Sequence, residues 1–318
     1  MAGSVGELGE FGLIAEITAG LPSAANVVVG PGDDCAVFAP QGPVAVSTDT
    51  MVEGRHWRPN WSSAQDVGRK AVAAAAADLE AEGARGIGVV ISLALPASTP
   101  VEWVREFSAG VRAECAKAGL VLLGGDTVEA PQIVITATVF GDLADRAPVT
   151  RAGAGAGDVV AICGRLGWAE AGLAVLNRGF RSPAAVVNAH RVPEPPYGQG
   201  IVAAEAGATA MVDVSDGLLA DLGHIAAASE VVIDLDPAAF DIAEPQTAVA
   251  AALGGKDPLA FVLAGGEDHA LAACFAPGDV PAGWMVVGVV RPVEGPASAP
   301  AVLVGGQQWE HAVGWSHF

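Results

Sequence analysis

The chain has 318 residues, of which 52% are hydrophobic and 16% are charged, so it can bury one large core or two ordinary ones and is not intrinsically disordered. Its 16 Lys and Arg residues against 36 Asp and Glu residues give a formal net charge of −20. That charge opposes binding to nucleic acid or to an anionic membrane, and it favours small molecules as partners. The N-terminal residues lack the basic and apolar regions of a signal peptide, and we expect a cytoplasmic protein.

The first half of the chain alternates apolar strands with helical segments, which is typical of mixed α/β domains. In chain order the sequence predicts a helix over 11–20, a strand over 43–47, a helix over 66–84, a strand over 87–95, a helix over 100–118, and strands over 120–123 and 132–140. Asp49 and Asp126 are therefore expected in turns that directly follow a strand.

A loop rich in Gly, Ala and Arg separates this half from the second and predicts domains over 1–147 and 148–318. The second half repeats the pattern, with predicted strands over 158–163, 209–213, 231–235, 269–275, 285–290 and 301–304, and helices over 168–178, 198–206 and 216–229. The fold class predicted for both halves is α/β or α+β.

Acidic residues recur beside glycine, serine or threonine at several points of the chain. They are Asp33-Asp34 after Gly32, Asp49 after Thr48, Asp126 after Gly125, Asp213 and Asp216 around Ser215, and Glu267-Asp268 after Gly266. Each alone is typical of a turn or a helix N-cap. Together they predict carboxylates that converge at a sheet edge, and such hard oxygen ligands suit Mg²⁺ or Mn²⁺.

The sequence lacks the motifs of the common phosphoryl-transfer scaffolds, because it has neither GxxxxGK[ST] nor the HRD and DFG set of protein kinases. The glycines of 153–157 precede a predicted strand, so they do not form a dinucleotide-binding turn. An acidic chain of this kind fits nucleotide chemistry in which metal ions neutralise the phosphates.

Several motifs occur in the order found in one known family. They are Glu10-Phe11, Gly32-Asp33-Asp34-Cys35-Ala36, Ser47-Thr48-Asp49-Thr50 with His56, Gly124-Gly125-Asp126-Thr127, Asp213-Val214-Ser215-Asp216-Gly217, Gly265-Gly266-Glu267-Asp268, and Gly314-Trp315. Over nearly its whole length the chain resembles the thiamine-monophosphate kinases, which belong to the aminoimidazole ribonucleotide synthetase superfamily. The resemblance implies a two-domain fold in which the N-terminal domain contributes to a β-barrel at a homodimer interface and the C-terminal domain is a three-layer α/β domain.

The resemblance also implies an activity: transfer of phosphate from ATP to thiamine monophosphate, giving thiamine diphosphate, by direct in-line attack assisted by several Mg²⁺ ions. The implied metal ligands are Asp34, Ser47, Thr48, Asp49, Asp78, Asp126, Asp213 and Asp216. The implied ATP contacts are Gly125, Asp126, Arg151 and Ser215, and the implied acceptor contacts are His56, Glu267 and Trp315. Asp49, Asp126 and Asp213 are the implied catalytic residues, and the N-terminal domain is the implied metal, ATP and dimerisation domain.

The chain departs from the family pattern at a few positions. Three alanines, Ala75 to Ala77, stand before Asp78 in place of Asn-Leu-Ser, Glu129 stands where the family often has Arg, and His269 stands where it usually has Tyr. The alternatives are another ATP-dependent enzyme of the superfamily or a non-catalytic nucleotide-binding relative. Selenophosphate synthetases carry a reactive Cys near the N-terminus and the hydrogenase-maturation relatives end in Cys, whereas here the first Cys is Cys35 and the last residue is Phe318.

Overall fold

The computed structural model describes residues 3–255, 257–294, 299–311 and 314. Within those ranges no helix combines the length and the apolar character needed to cross a membrane. The chain divides into two compact units: Met1–Leu79 with Ala84–Arg146 form the first, and Glu80–Gly83 with Ala147–Phe318 form the second. The functions expected of the two domains stay predictions.

The first unit is a four-stranded sheet with helices and a small two-stranded ribbon. Its elements are α1 (Val5–Leu8), α2 (Glu10–Thr18), β1 (Val27–Val29), β2 (Val37–Phe38), β3 (Val44–Val52), α3 (Ala64–Ala81), β4 (Arg85–Leu95), α4 (Val101–Ala118), β5 (Val121–Glu129) and β6 (Val134–Asp142). The strand order in the sheet is β3-β6-β4-β5, and β1 pairs with β2. Only β4 and β5, which α4 connects, run parallel; the other neighbours are antiparallel.

One face of this sheet is buried and the other is open. Along β4 the buried side chains alternate, as in Val89, Ile91 and Leu93. On the edge strand β3, by contrast, Val44 and Val46 are exposed although they are large and apolar. The open face of the first unit therefore carries apolar surface.

Two predicted turns are strands in the structure, and that part of the prediction is wrong. β3 continues through Asp49 to Val52, and β5 continues through Asp126 to Glu129. The physical reason is the ladder: Asp49 pairs with Ala137 of β6, and Asp126 pairs with Ser92 of β4. Strand pairing overrides the turn preference of Asp and Gly at both places.

The second unit is a six-stranded sheet with helices on its faces. Its elements are β7 (Val159–Cys163), α5 (Trp168–Asn177), α6 (Ala184–Arg191), α7 (Gln199–Glu205), β8 (Ala210–Val214), α8 (Leu218–Ser229), β9 (Val231–Leu235), a 3₁₀ turn (Pro237–Ala239), α9 (Glu244–Ala252), α10 (Leu259–Ala264), β10 (Ala270–Phe275), β11 (Met285–Pro292) and β12 (Ala301–Val304). The strand order is β12-β9-β11-β7-β10-β8.

Apolar clusters pack on both faces of this second sheet. On one face, Leu222 and Ile225 of α8 pack with Val212 of β8. On the other face, Ala203 of α7 packs with Phe275 of β10. Helix, sheet and helix thus form three layers, which confirms the predicted α/β class of this unit.

The backbones of α3 and α4 approach so closely that one glycine is indispensable for their packing. A Cβ at Gly110 of α4 would lie 2.1 Å from the carbonyl oxygen of Gln65 in α3. We expect Gly110→Ala to lower the free energy of unfolding by about 1–3 kcal/mol, because the helices must separate. The matched control is Gly223→Ala in α8, where an added Cβ meets no atom within 4 Å.

The control should raise stability by up to about 1 kcal/mol through helix propensity. Thermal unfolding of both variants and the wild type measures the difference. Equal melting temperatures for Gly110→Ala and Gly223→Ala would contradict the close-packing account.

Candidate active site

A first group of oxygen ligands lies where β3 meets α3 in the first unit. The Ser47 hydroxyl donates a hydrogen bond to Oδ2 of Asp78. Asp49 lies two residues along β3 on the same face as Ser47, because side chains alternate along a strand. Thr48 points to the other face, where its hydroxyl pairs with that of Thr138 at 3.0 Å. The structure therefore joins Ser47 to Asp78 and puts Asp49 on the same face of β3, while the Thr48 side chain lies on the other face.

His56 lies in the turn that follows β3, and its imidazole is fixed in one tautomer. Its Nδ1 accepts the backbone N–H of Val52 at 3.0 Å, which places the ring proton on Nε2. The buried Lys70 donates from Nζ to the His56 carbonyl oxygen at 3.2 Å. The donor of the His56 ring is thus Nε2.

A second group of predicted residues lines a cavity of about 760 Å³ at the β5 edge of the same unit. Asp34, Gly125 and Asp126 all line it. Its apolar wall includes Phe11 of α2 and Phe107 of α4. A cavity with an acidic rim and aromatic walls suits a ligand that has both a flat ring and charged groups.

The sheet register keeps these two groups of the first unit apart. Residues paired directly across a sheet share a face. One such row is Asp49, Ala137, Ile91 and Gly125; the neighbouring row, on the opposite face, is Thr50, Thr136, Ser92 and Asp126. Because β3 and β5 are the two edge strands, three strand spacings or about 14 Å separate Asp49 from Asp126.

The ligand chemistry of these groups fits Mg²⁺, since the Ser47 hydroxyl and the Asp78 carboxylate that it touches are hard oxygen ligands. In the described parts of the chain, no set of three or more His, Cys, Asp and Glu side chains is close enough to hold an ion by itself. Proteins commonly bind Mg²⁺ through one or two carboxylates together with phosphate oxygens and waters.

The second unit presents its own acidic group at the end of β8. Asp213 is buried, and its Oδ2 lies 3.1 Å from Nδ1 of His269, which is also buried. The N–H of His269 donates to the carbonyl oxygen of Val214 at 2.9 Å. The histidine that replaces the usual tyrosine of the family is therefore a direct partner of a predicted catalytic acid.

The turn after β8 is held by Asp221, one helical turn into α8. Its Oδ2 accepts the backbone N–H groups of Ser215, Asp216 and Gly217 at 3.0–3.1 Å. Burial first, and then the charge on Asp213, raises the pKa of Asp221 to about 7, although the N–H donors lower it. Asp221 thus fixes the backbone that carries Ser215 and Asp216.

The Glu267 turn is held in a similar way. The N–H of Glu267, a residue with φ of 66°, donates to the carbonyl oxygen of Ser215 at 2.7 Å, so the two turns are joined. Asp268 is buried and accepts the N–H groups of Gly167 and Ala169 at the start of α5. The structure therefore brings Ser215 and Glu267 together within the second unit.

The remaining predicted residues are less constrained. Arg151 is exposed in the loop before β7, and its carbonyl oxygen accepts the Ser229 hydroxyl at 3.0 Å. Trp315 lies outside the described residues. Asp221 and Asp268 had no functional role in the sequence prediction. The signal that could have identified Asp221 is an acid one turn into a helix behind an acidic turn, which is typical of a loop anchor.

Comparison with known proteins decides between the members of the superfamily. Residues 32–143 match the family described as AIR synthase related protein, N-terminal domain. The thiamine-monophosphate kinase of Mycobacterium tuberculosis is 48% identical over 313 residues, which are 98% of this chain and 92% of the relative. The chain belongs to the thiamine-monophosphate kinase family.

Further similarities agree with membership in the thiamine-monophosphate kinase family. The Corynebacterium glutamicum thiamine-monophosphate kinase is 37% identical and covers 90% of this chain and 87% of its own. A solved structure described as AaThiL complexed with AMPPCP and TMP superposes with a TM-score of 0.78 at 31% identity, over 98% of both chains. The resemblance and the two-domain fold expected from the sequence are confirmed.

The buried carboxyl of Asp268 makes stability depend on pH in a predictable direction. Burial raises the pKa of Asp268 from 3.8 to about 7 in the folded chain, although the hydrogen bonds from the N–H groups of Ala169 and Gly167 act to lower it. The folded state therefore keeps a proton that the unfolded state loses, and the contribution of Asp268 to stability falls as pH rises from about 4 to about 7.

The Asp268→Asn variant has no carboxyl to titrate at this position, so its stability lacks this dependence on pH. We expect the melting temperature of the wild type minus that of the variant to be largest near pH 4–5 and to decline through pH 7. Differential scanning fluorimetry across this range measures it. A difference that is constant with pH, or that grows as pH rises, would refute the assignment.

Proposed function

We propose that this chain transfers the γ-phosphate of ATP to thiamine monophosphate, giving thiamine diphosphate and ADP, in the cytoplasm. The observation that carries the proposal is the 48% identity over 98% of the chain to a thiamine-monophosphate kinase. The oxygen-ligand groups and the cavity of about 760 Å³ support it, because they have the chemistry that polyphosphates, metal ions and a flat ring require.

The proposed metal ligands fall in three groups. Ser47, Asp49 and Asp78 would hold Mg²⁺ at the β3 edge, with the Thr48 backbone beside them. Asp34 and Asp126 would hold it at the cavity. In the second unit, Asp213 and Asp216 would hold it. The ions would neutralise the crowded phosphates and polarise the γ-phosphate.

The nucleotide contacts proposed are Gly125, Asp126, Arg151 and Ser215, and those to thiamine monophosphate are His56, Glu267 and Trp315. The Nε2–H of His56 suits a phosphate oxygen, and the Glu267 carboxylate suits a cation or an amine. An acceptor phosphate is already anionic, so the chain needs to position it in line rather than deprotonate it. No covalent phosphoenzyme is required.

We propose further that the chain is a homodimer. Val44, Val46 and Val128 of the two edge strands are exposed, and a second copy packed on this open face would bury them and cover both sheet edges. The register of the four-stranded sheet gives a second reason to propose a dimer, because Asp49 and Asp126 are too far apart in one sheet to share an ion. Closing two sheets into a barrel, with β5 of one copy beside β3 of the other, would place these two strands one strand spacing, about 5 Å, apart.

A coupled assay of ADP release with ATP, Mg²⁺ and thiamine monophosphate tests the activity. We expect turnover with thiamine monophosphate and little with free thiamine, since the free alcohol lacks the phosphate that bridges to the ions. Asp126→Asn should reduce kcat by at least about 100-fold by removing one ligand charge at the reacting phosphates.

The matched control for that variant is Asp145→Asn, an exposed acid in the turn after β6, which should retain wild-type turnover. Turnover of free thiamine at the same rate as thiamine monophosphate would show that the acceptor's phosphate is not needed to position it. Absence of thiamine diphosphate among the products of the wild-type enzyme would refute the proposed function itself.

A further inference from the structure

A buried histidine of the second unit forms a hydrogen bond with one of the proposed metal ligands. Nδ1 of His269 lies 3.1 Å from Oδ2 of Asp213, and the two side chains are 8% and 6% exposed. A carboxylate oxygen can only accept, so the proton of this hydrogen bond is on Nδ1. One of the two oxygens of Asp213 is thus bound by an imidazole that solvent hardly reaches.

The backbone on both sides of this hydrogen bond belongs to paired strands. Asp213 of β8 pairs with Leu271 of β10, and Val214 pairs with Ala270. The N–H of His269 adds a hydrogen bond to the carbonyl oxygen of Val214 at 2.9 Å, just before β10 begins. His269 has φ of 54°, a left-handed conformation that His, Asn and Asp adopt more often than most residues with a side chain. The sheet therefore sets the distance between the imidazole and the carboxylate.

Mg²⁺ and Ca²⁺ differ in how strictly they require a carboxylate to be oriented. Mg²⁺ requires a near-ideal octahedron of oxygens at about 2.0–2.1 Å, whereas Ca²⁺ takes roughly six to eight oxygens in flexible geometry and binds one or both oxygens of a carboxylate. Asp213 and Asp216 supply hard oxygen ligands at the end of β8, and this donor set fits either ion. A hydrogen bond to Oδ2 of Asp213 opposes binding through both of its oxygens.

We propose that His269 is a positioning residue that holds Asp213 as a one-oxygen ligand and so contributes to the selection of Mg²⁺ over Ca²⁺. The imidazole sets the plane of the carboxylate through Oδ2, and Oδ1 is then presented to the ion in one direction. The inference rests on the proposed function and deepens it, because it concerns the metal group proposed for the second unit. His269 acts through Asp213 and does not itself bind the ion.

Metal binding by two nearly isosteric variants tests this role. His269→Asn places an amide donor about where Nδ1 was, and His269→Leu has a similar shape without a donor. Binding of Mn²⁺ in the presence of a non-hydrolysable ATP analogue is measured by electron paramagnetic resonance, and Mg²⁺ or Ca²⁺ is then used to displace it.

In His269→Leu we expect the affinity for Mg²⁺ to fall about tenfold, the loss typical of removing the hydrogen-bond partner of a metal ligand. The affinity for Ca²⁺ should change by less than about threefold, because its coordination geometry is flexible. His269→Asn should remain within about threefold of the wild type for both ions, since it keeps the donor.

A double-mutant cycle separates positioning from packing. Asp213→Asn alone should lower the affinity for Mg²⁺, and adding His269→Leu to it should cause no further loss, because His269 acts through that carboxylate. The control is Asp279→Asn, which removes the same charge from an exposed loop after β10. Since β10 is antiparallel to β8, this loop lies at the opposite edge of the sheet, and the affinity for Mg²⁺ should change by less than about twofold. Melting temperatures of all variants report the fold.

Several results would overturn this role of His269. They are an unchanged affinity for Mg²⁺ in His269→Leu, an equal loss for Mg²⁺ and Ca²⁺, an equal loss in His269→Asn, additive effects in the double variant, and metal binding that Asp213→Asn does not affect. If His269→Leu does not fold, His269→Gln takes its place, because its longer amide moves the donor away from Asp213. The binding assay contains no thiamine monophosphate, so a wild type that binds the ions but does not phosphorylate this acceptor would refute the proposed function and not this contact.

Discussion

The register of the four-stranded sheet is the constraint on which the proposed chemistry depends. Side chains alternate between faces, so pairing Asp49 with Ala137 on one edge fixes its face, and pairing Asp126 with Ser92 on the other edge fixes the opposite face. A shift of one residue in the pairing register of either edge strand would move the acid of that strand to the other face of the sheet. The proposed metal ligands of the first unit therefore form two separate groups, one with α3 and one at the cavity.

In the second unit, two turns are fixed in place by carboxylates buried beneath them. Asp221 gathers three N–H groups under Ser215 and Asp216, and Asp268 binds the first turn of α5 beside Glu267. Burial of these carboxyls is costly, which raises the pKa of each to about 7. This cost is offset because the buried carboxylates accept N–H groups that would otherwise lack a hydrogen-bond partner, and the two turns are thereby fixed.

Hydrophobic periodicity was sufficient to predict most helices and strands, among them α4, β6 and α8, because these have one clearly apolar face. It failed where glycine served close packing instead of a turn: a Cβ at Gly125 would lie 2.0 Å from the carbonyl oxygen of Ile91, so glycine is needed inside β5. Motif order identified the family, but the contacts by which Asp221 and Asp268 hold the turns depend on tertiary neighbours that spacing alone does not reveal. Which acids share a face likewise depends on pairing across the sheet, and no local pattern encodes it.

We propose that the acids of β3 and β5 act on common phosphates only when two copies of the chain combine. Asp49→Asn and Asp126→Asn should each be nearly inactive, and the test is a heterodimer of the two variants, isolated with two different affinity tags. About half of the wild-type turnover per heterodimer is expected, because one of its two shared sites then carries both intact acids. A heterodimer as inactive as the parent variants would show that both acids serve one site within a single chain, and would rule out the shared site.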